Sequence, residues 1–250
     1  MKFCWAACLG GCSGKRSREH IVSPSFFDGE SIMVSGFSWC KNKEKEIGLS
    51  SLTAKILCVK HNNDLSDVDI AAAHAFDVFR EASKLSNIRK KMKPRLWRVV
   101  KYSIHGLLLE RWFLKTLINI SSNSEYRIGN LAKKAGQPSE SLVKIAFGHQ
   151  AFTGGSGLYS AAHVGQKIHS SDRIIFAPLI KHEDYIAGGL FSFRGSRFLL
   201  FLDPEGPPTK RPIGIGFPGD DWSNSHLNYH IEKIRFTQGK YLSQVIEIKW

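Results

Sequence analysis

The sequence predicts an α+β protein with a cysteine-bearing N-terminal region, central helices and a β-rich C-terminal region. Three observations lead there. All five cysteines (Cys4, Cys8, Cys12, Cys40 and Cys58) fall within the first 58 residues. Apolar residues then recur at helical spacing through the middle of the chain. From about Gly154 onward, short β-rich runs bounded by turns replace that pattern.

Residues 1 to about 66 are irregular and rich in turn formers. Ser66 is placed as a helix N-cap, with Asp67 and Asp69 in the first turn, where the helix dipole favours acids. Val68, Ala72, Ala75, Phe76 and Phe79 follow as one apolar face, carrying a helix to about Leu85. A second helix is expected from Tyr102 to about Ile120, with Ile104, Leu107, Leu108, Trp112 and Ile118 as its apolar face. A shorter one covers Ser139 to Phe147. The runs beginning at Arg173, Tyr185 and Arg197 read as strands. His230 to Phe236 and Leu242 to Trp250, joined at Gln238-Gly239, read as a closing hairpin. Pro204 to Pro218 reads as a loop. The organisation that follows is an N-terminal module over residues 1–85 and a second region, helical then β-rich, over 86–250.

Thirty-five Lys and Arg against 22 Asp and Glu leave a net charge of +13. That balance favours anionic partners, nucleic acid before anionic membrane. No stretch reaches the roughly 20 apolar residues of a spanning helix, so no membrane role is expected. The apolar run after Met1-Lys2 is short, holds two cysteines and runs into Lys15-Arg16-Ser17-Arg18, which argues against an export signal. Arg89, Lys90, Lys91, Lys93, Arg95, Arg98 and Lys101 form a basic run around Trp97. Such a run can grip phosphates and stack on a base, or serve as a solvated linker.

An odd number of cysteines confined to one end and interleaved with histidine suits a metal site in a reducing, cytoplasmic setting better than a disulfide framework. Structural zinc takes four Cys or His ligands, commonly as two close pairs. Cys58-x-x-His61 has the spacing of one pair. Cys4 and Cys8 are favoured for the other, since Phe3 before and Gly10-Gly11 after suit a strand-turn knuckle; Cys8 with Cys12 is the main rival. Cys40 has no close partner in sequence.

A cysteine pair, then Ser17-Arg18-Glu19-His20-Ile21, then Cys58-x-x-His61-Asn62-Asn63 resembles the HNH nucleases of the His-Me finger group, in their zinc-bearing form. The resemblance covers residues 1–85, with His61 in place of a second cysteine. It implies a zinc-held ββα module of treble-clef type that cleaves DNA. In that reading His20 is the general base, Glu19 helps to hold a catalytic divalent cation such as Mg²⁺, and Asn62 braces the loop that carries His20. Many active members place a second polar residue three positions beyond the asparagine; here that position is Leu65. The Pro-x-x-x-Gly-Gly usual after the His-Ile is echoed only by Pro24 and Gly29. The alternative is therefore a zinc-stabilised module that binds nucleic acid or protein without catalysis. Gly154-Gly155-Ser156-Gly157 lacks the lysine of a P-loop and reads as a turn. His163, His169, His182, His226 and His230 are scattered and read as surface or hydrogen-bonded histidines.

Overall fold

The computed structural model describes residues 4–23, 26–27, 29–37, 39–40, 43–93, 97–160, 173–182, 184–193, 196–206, 228–229, 233–238 and 241–250. The strands are β1 (Glu19–His20), β2 (Ser31–Ser35), β3 (Lys45–Gly48), β4 (Thr53–Ala54), β5 (Val100–His105), β6 (Arg127–Ile128), β7 (Gly157–Ser160), β8 (Arg173–Lys181), β9 (Tyr185–Phe193), β10 (Ser196–Phe201), β11 (Asn228–Tyr229), β12 (Lys233–Gln238) and β13 (Tyr241–Lys249). The helices are α1 (Val59–Asn63), α2 (Ser66–Lys90), α3 (Gly106–Ser121) and α4 (Glu140–Ala146).

The strands form three sheets. A large one runs β11-β7-β10-β9-β8-β2-β3, with β6 on the side of β9; a second runs β12-β13-β5; β1 and β4 make a small ladder. Side-chain alternation in the large sheet is strict where it matters. Phe198 and Leu200 of β10 enter the main core, while Leu199 and Phe201 join a second cluster with Tyr159, Leu179 and Leu190.

Helix α3 is the axis of the main core. Every residue from Trp112 to Ser121 is buried, the pattern of a helix enclosed on all sides. Trp112 packs edge-on against Phe26, Phe76, Phe113 and Phe193, joining the N-terminal region, α2 and β9. Gly189 lets α3 approach the sheet: a Cβ there would lie 2.6 Å from the Phe176 ring and 2.8 Å from Leu117 Cδ1.

Helix α2 buries Val68, Ala72, Ala75, Phe76 and Phe79 as expected. Ser66 is its first residue rather than its cap, and its hydroxyl donates to the Asn63 carbonyl at 2.8 Å. The helix expected from Tyr102 starts only at Gly106. Val100, Tyr102 and Ile104 alternate with Lys101, Ser103 and His105, and the segment is β5, paired in parallel with β13. His105 then caps α3 by accepting the Leu108 N–H. The closing hairpin is present as β12 and β13 in antiparallel register. A division after residue 85 falls inside α2. β2 also pairs in parallel with β8, through Met33–Arg173 to Ser35–Ile175, and one core runs through both parts. Pro24, Pro94, Arg95, His163, His169, His226, His230, Gly239 and most of the Pro204–Pro218 loop lie outside the described residues. Among the described residues, no helix is long and apolar enough to cross a membrane.

Candidate functional site

The N-terminal segment folds back on itself before it reaches β1. After Cys4 it makes a single 3-10 turn, Ala7–Leu9. Gly10 and Gly11 follow, at φ 76° and 65°, in the left-handed region that glycine enters without strain. They reverse the chain and bring Cys12 towards α1. The segment then runs beside the entry to α1: Val59 N–H donates to Lys15 O at 3.0 Å, Ser17 N–H to Leu57 O at 2.9 Å, and Arg16 bridges Cys58. Cys58 caps α1, its sulfur accepting the His61 N–H.

Four side chains converge as a result. The ligand atoms of Cys4, Cys12, Cys58 and His61 all lie within 4.8 Å of one another and could hold a metal ion. His61 Nδ1 stands 3.3 Å from Cys58 Sγ, 3.4 Å from Cys4 Sγ and 3.6 Å from Cys12 Sγ. One imidazole nitrogen has a single lone pair or a single N–H and cannot serve three thiols as hydrogen bonds. The separations do match the edge of a tetrahedron around zinc, about 3.5 Å for Zn–S near 2.3 Å and Zn–N near 2.0 Å. The donor set therefore fits zinc. Burial holds the His61 pKa below the ordinary imidazole value, with Lys60 adding to the effect, which favours the neutral ligand form. Burial opposes ionisation of Cys58, but N–H groups of His61 and Ser13 outweigh it and bring the pKa to about 7. The Cys4 thiol is pushed up to about 12, chiefly by burial. The His61 ring also meets Phe147 edge-on at 5.5 Å.

This cluster corrects the expected ligand set in one position: Cys12 stands where Cys8 was expected. Cys8 sits on the 3-10 turn and is exposed. The two glycines precede the second ligand instead of closing a tight knuckle after it. Cys40 is buried against the Val34 carbonyl, away from the cluster.

Next to the cluster is a cleft of about 190 Å³ whose lining includes Arg18, Glu19, His20, Asn62, Asp69 and Lys115. β1 supplies Glu19 and His20, held by the register Glu19–Ala54 and His20–Thr53. α1 supplies Asn62. His20 Nδ1 and Asn62 Oδ1 are both buried without a hydrogen-bond partner. Burial lowers the His20 pKa, and Arg18 and Lys115 lower it further. The three residues expected to act together thus share one cleft.

Lys115 of α3 and Asp69 of α2 complete it, and sequence reasoning missed both. Lys115 Nζ lies 2.6 Å from Glu19 Oε1 and 2.7 and 2.9 Å from the Asp69 carboxylate oxygens. The Lys115 side chain is 3% exposed. Burial pushes the Glu19 carboxyl above its usual range, and Lys115 draws it only part of the way back. The divalent cation implied by the resemblance does not fit this arrangement. Glu19 Oε1 is engaged by the Lys115 ammonium, which already sits between the Glu19 and Asp69 carboxylates, and Leu65, where another polar group would stand, is fully buried. A lysine among apolar helix residues, interrupting an otherwise hydrophobic stretch, is the signal that could have marked the site.

The basic run is only partly available to a ligand. Arg89 is buried, donates to Ser243 O at 2.6 Å and Arg98 O at 3.2 Å, and stacks on Trp97 at 5.1 Å. No protein-family model, curated protein or solved structure matches this chain.

Proposed function

We propose that the chain is an HNH-like, zinc-held endonuclease that hydrolyses DNA phosphodiester bonds, with His20 as general base. One observation carries the reading. His20 and Asn62 line one cleft, each keeps a buried polar atom (Nδ1 and Oδ1) without a hydrogen-bond partner, and both hang on elements tied to the Cys4, Cys12, Cys58 and His61 cluster. A zinc ion held by those four residues would act as a structural strut of treble-clef type, fixing α1 against the segment that leads into β1.

With its pKa below the usual value, His20 is neutral near pH 7 and can take a proton from water. The water oxygen bonds to phosphorus, the bond from phosphorus to the leaving deoxyribose oxygen breaks, and that oxygen takes a proton from solvent. His20 returns its proton to solvent before the next turnover. Asn62 lines the same cleft, in the place where the resemblance gives it the role of bracing the loop that carries His20, and Arg18 with the +13 net charge suits a polyanionic substrate. The test is nicking of supercoiled plasmid by purified, zinc-loaded protein. His20→Ala should slow it by about a hundredfold or more; equal nicking by the variant would overturn the mechanism.

A second reading is favoured by the buried Leu65 and by the engagement of Glu19 with Lys115. It is a zinc-stabilised binding module for nucleic acid or protein without catalysis. It predicts no nicking, together with DNA binding that weakens steeply as salt rises.

A further inference from the structure

We infer that Lys115 is the resident cation of the cleft, standing where a divalent metal ion would otherwise sit, so that the site works without one. The inference rests on the endonuclease reading for its substrate, and on geometry alone for the cation. Three carboxylate oxygens, one from Glu19 and two from Asp69, lie within 2.9 Å of a single nitrogen. They arrive from β1 and α2, and the nitrogen arrives from α3, so the meeting point is set by tertiary packing rather than by a flexible loop.

Lys115 cannot readily give way. Its side chain is 3% exposed and its neighbours on α3, Leu114, Thr116 and Leu117, are buried. Leaving Glu19 and Asp69 would strand a charge in the core, where its desolvation is uncompensated. Mg²⁺ binds through oxygen ligands in near-ideal octahedral geometry and sheds water reluctantly. Here the position between the carboxylates is filled, and Leu65 offers no further oxygen. An ammonium has three donors, and the three carboxylate oxygens of Glu19 and Asp69 match them one for one, so its role is to neutralise the carboxylates where a metal ion would otherwise do so. Arg18, on the same cleft wall, adds a second positive group.

The deciding experiment titrates Mn²⁺ alone into the zinc-loaded full chain, followed by the paramagnetic signal of free Mn²⁺. Wild type should show no Mn²⁺ binding that Glu19→Gln abolishes. Lys115→Met should bind Mn²⁺ about tenfold or more tightly, since two carboxylates then lack a counter-charge, and adding Glu19→Gln to it should remove the gain. Glu19-dependent Mn²⁺ binding by wild type would overturn the inference, whether or not Lys115→Met folds. Plasmid nicking supplies a separate arm. Wild-type rates should be unchanged by added Mg²⁺, and a rate that requires Mg²⁺ would also overturn it. Absence of nicking with the Mn²⁺ result intact would remove the endonuclease reading and leave the resident cation standing.

Discussion

Two adjoining regions of the N-terminal part solve the problem of converging polar groups in opposite ways. In the Cys4, Cys12, Cys58 and His61 cluster, four donor atoms converge within 4.8 Å of one another and could hold a metal ion. In the cleft beside it, Glu19 and Asp69 face a point that Lys115 serves from within the chain. The first arrangement could hold a metal ion; the second is balanced by the protein's own charge. Sequence motifs place ligands in both, but only the fold reveals which of the two carries its own cation.

The largest effect expected from breaking this contrast is at the cluster. Apparent binding free energies of structural zinc sites run to about 10–16 kcal/mol near neutral pH. Cys12→Ser or Cys58→Ala should therefore lower zinc content well below one ion per chain and lower the thermal transition of the whole protein. Cys8→Ser should change neither. Zinc analysis and calorimetry of the three variants check the ligand set directly.

Next comes the cleft. Removing one partner of a buried ion pair leaves the other charge unpaired, at about 3–5 kcal/mol. Lys115→Ala should destabilise the protein by that amount in denaturant unfolding, with zinc content unchanged. Asp69, 32% exposed, matters less; Asp69→Asn should cost no more than about 1 kcal/mol, as for pairs that solvent reaches.

A third buried charge sharpens the point, because it has no cation. Glu110, also on α3, accepts the Leu158 N–H at 2.8 Å, and burial raises its pKa to about 7. The folded state then holds a proton that the unfolded state releases near pH 4.5. Stability falls as pH rises between these values, and above pH 7 the loss is complete. Glu110→Gln should flatten that fall and leave the protein up to about 3 kcal/mol more stable than wild type at pH 8, relative to their difference at pH 4. Urea unfolding at several pH values measures it.

Local patterns made part of this legible. The spacing Cys58-x-x-His61 is short enough to be read without the fold, and so are the apolar face of α2 and the β-rich runs of β9 and β13. The choice between Cys8 and Cys12 turned on which side of the Gly10-Gly11 reversal the second sulfur lies, and spacing alone does not encode that. Tyr102 and Ile104 of β5 carry a helical spacing because they lie beside the strong helical pattern of α3; the strand state of β5 comes from pairing with β13, at the far end of the chain. Lys115 stands out in the sequence only as a charge within an apolar helix, and nothing local pairs it with Asp69 and Glu19, since the approach of α2 and α3 to β1 is a product of packing around Trp112.

The pH dependence of plasmid nicking tests the account most directly. His20 has a lowered pKa and lines the cleft. Activity should therefore rise with a midpoint below about pH 6.5, run level through neutral pH, and vanish in His20→Ala across the whole range. Nicking by His20→Ala with the same acid limb and comparable rates would contradict the assignment of His20 as general base.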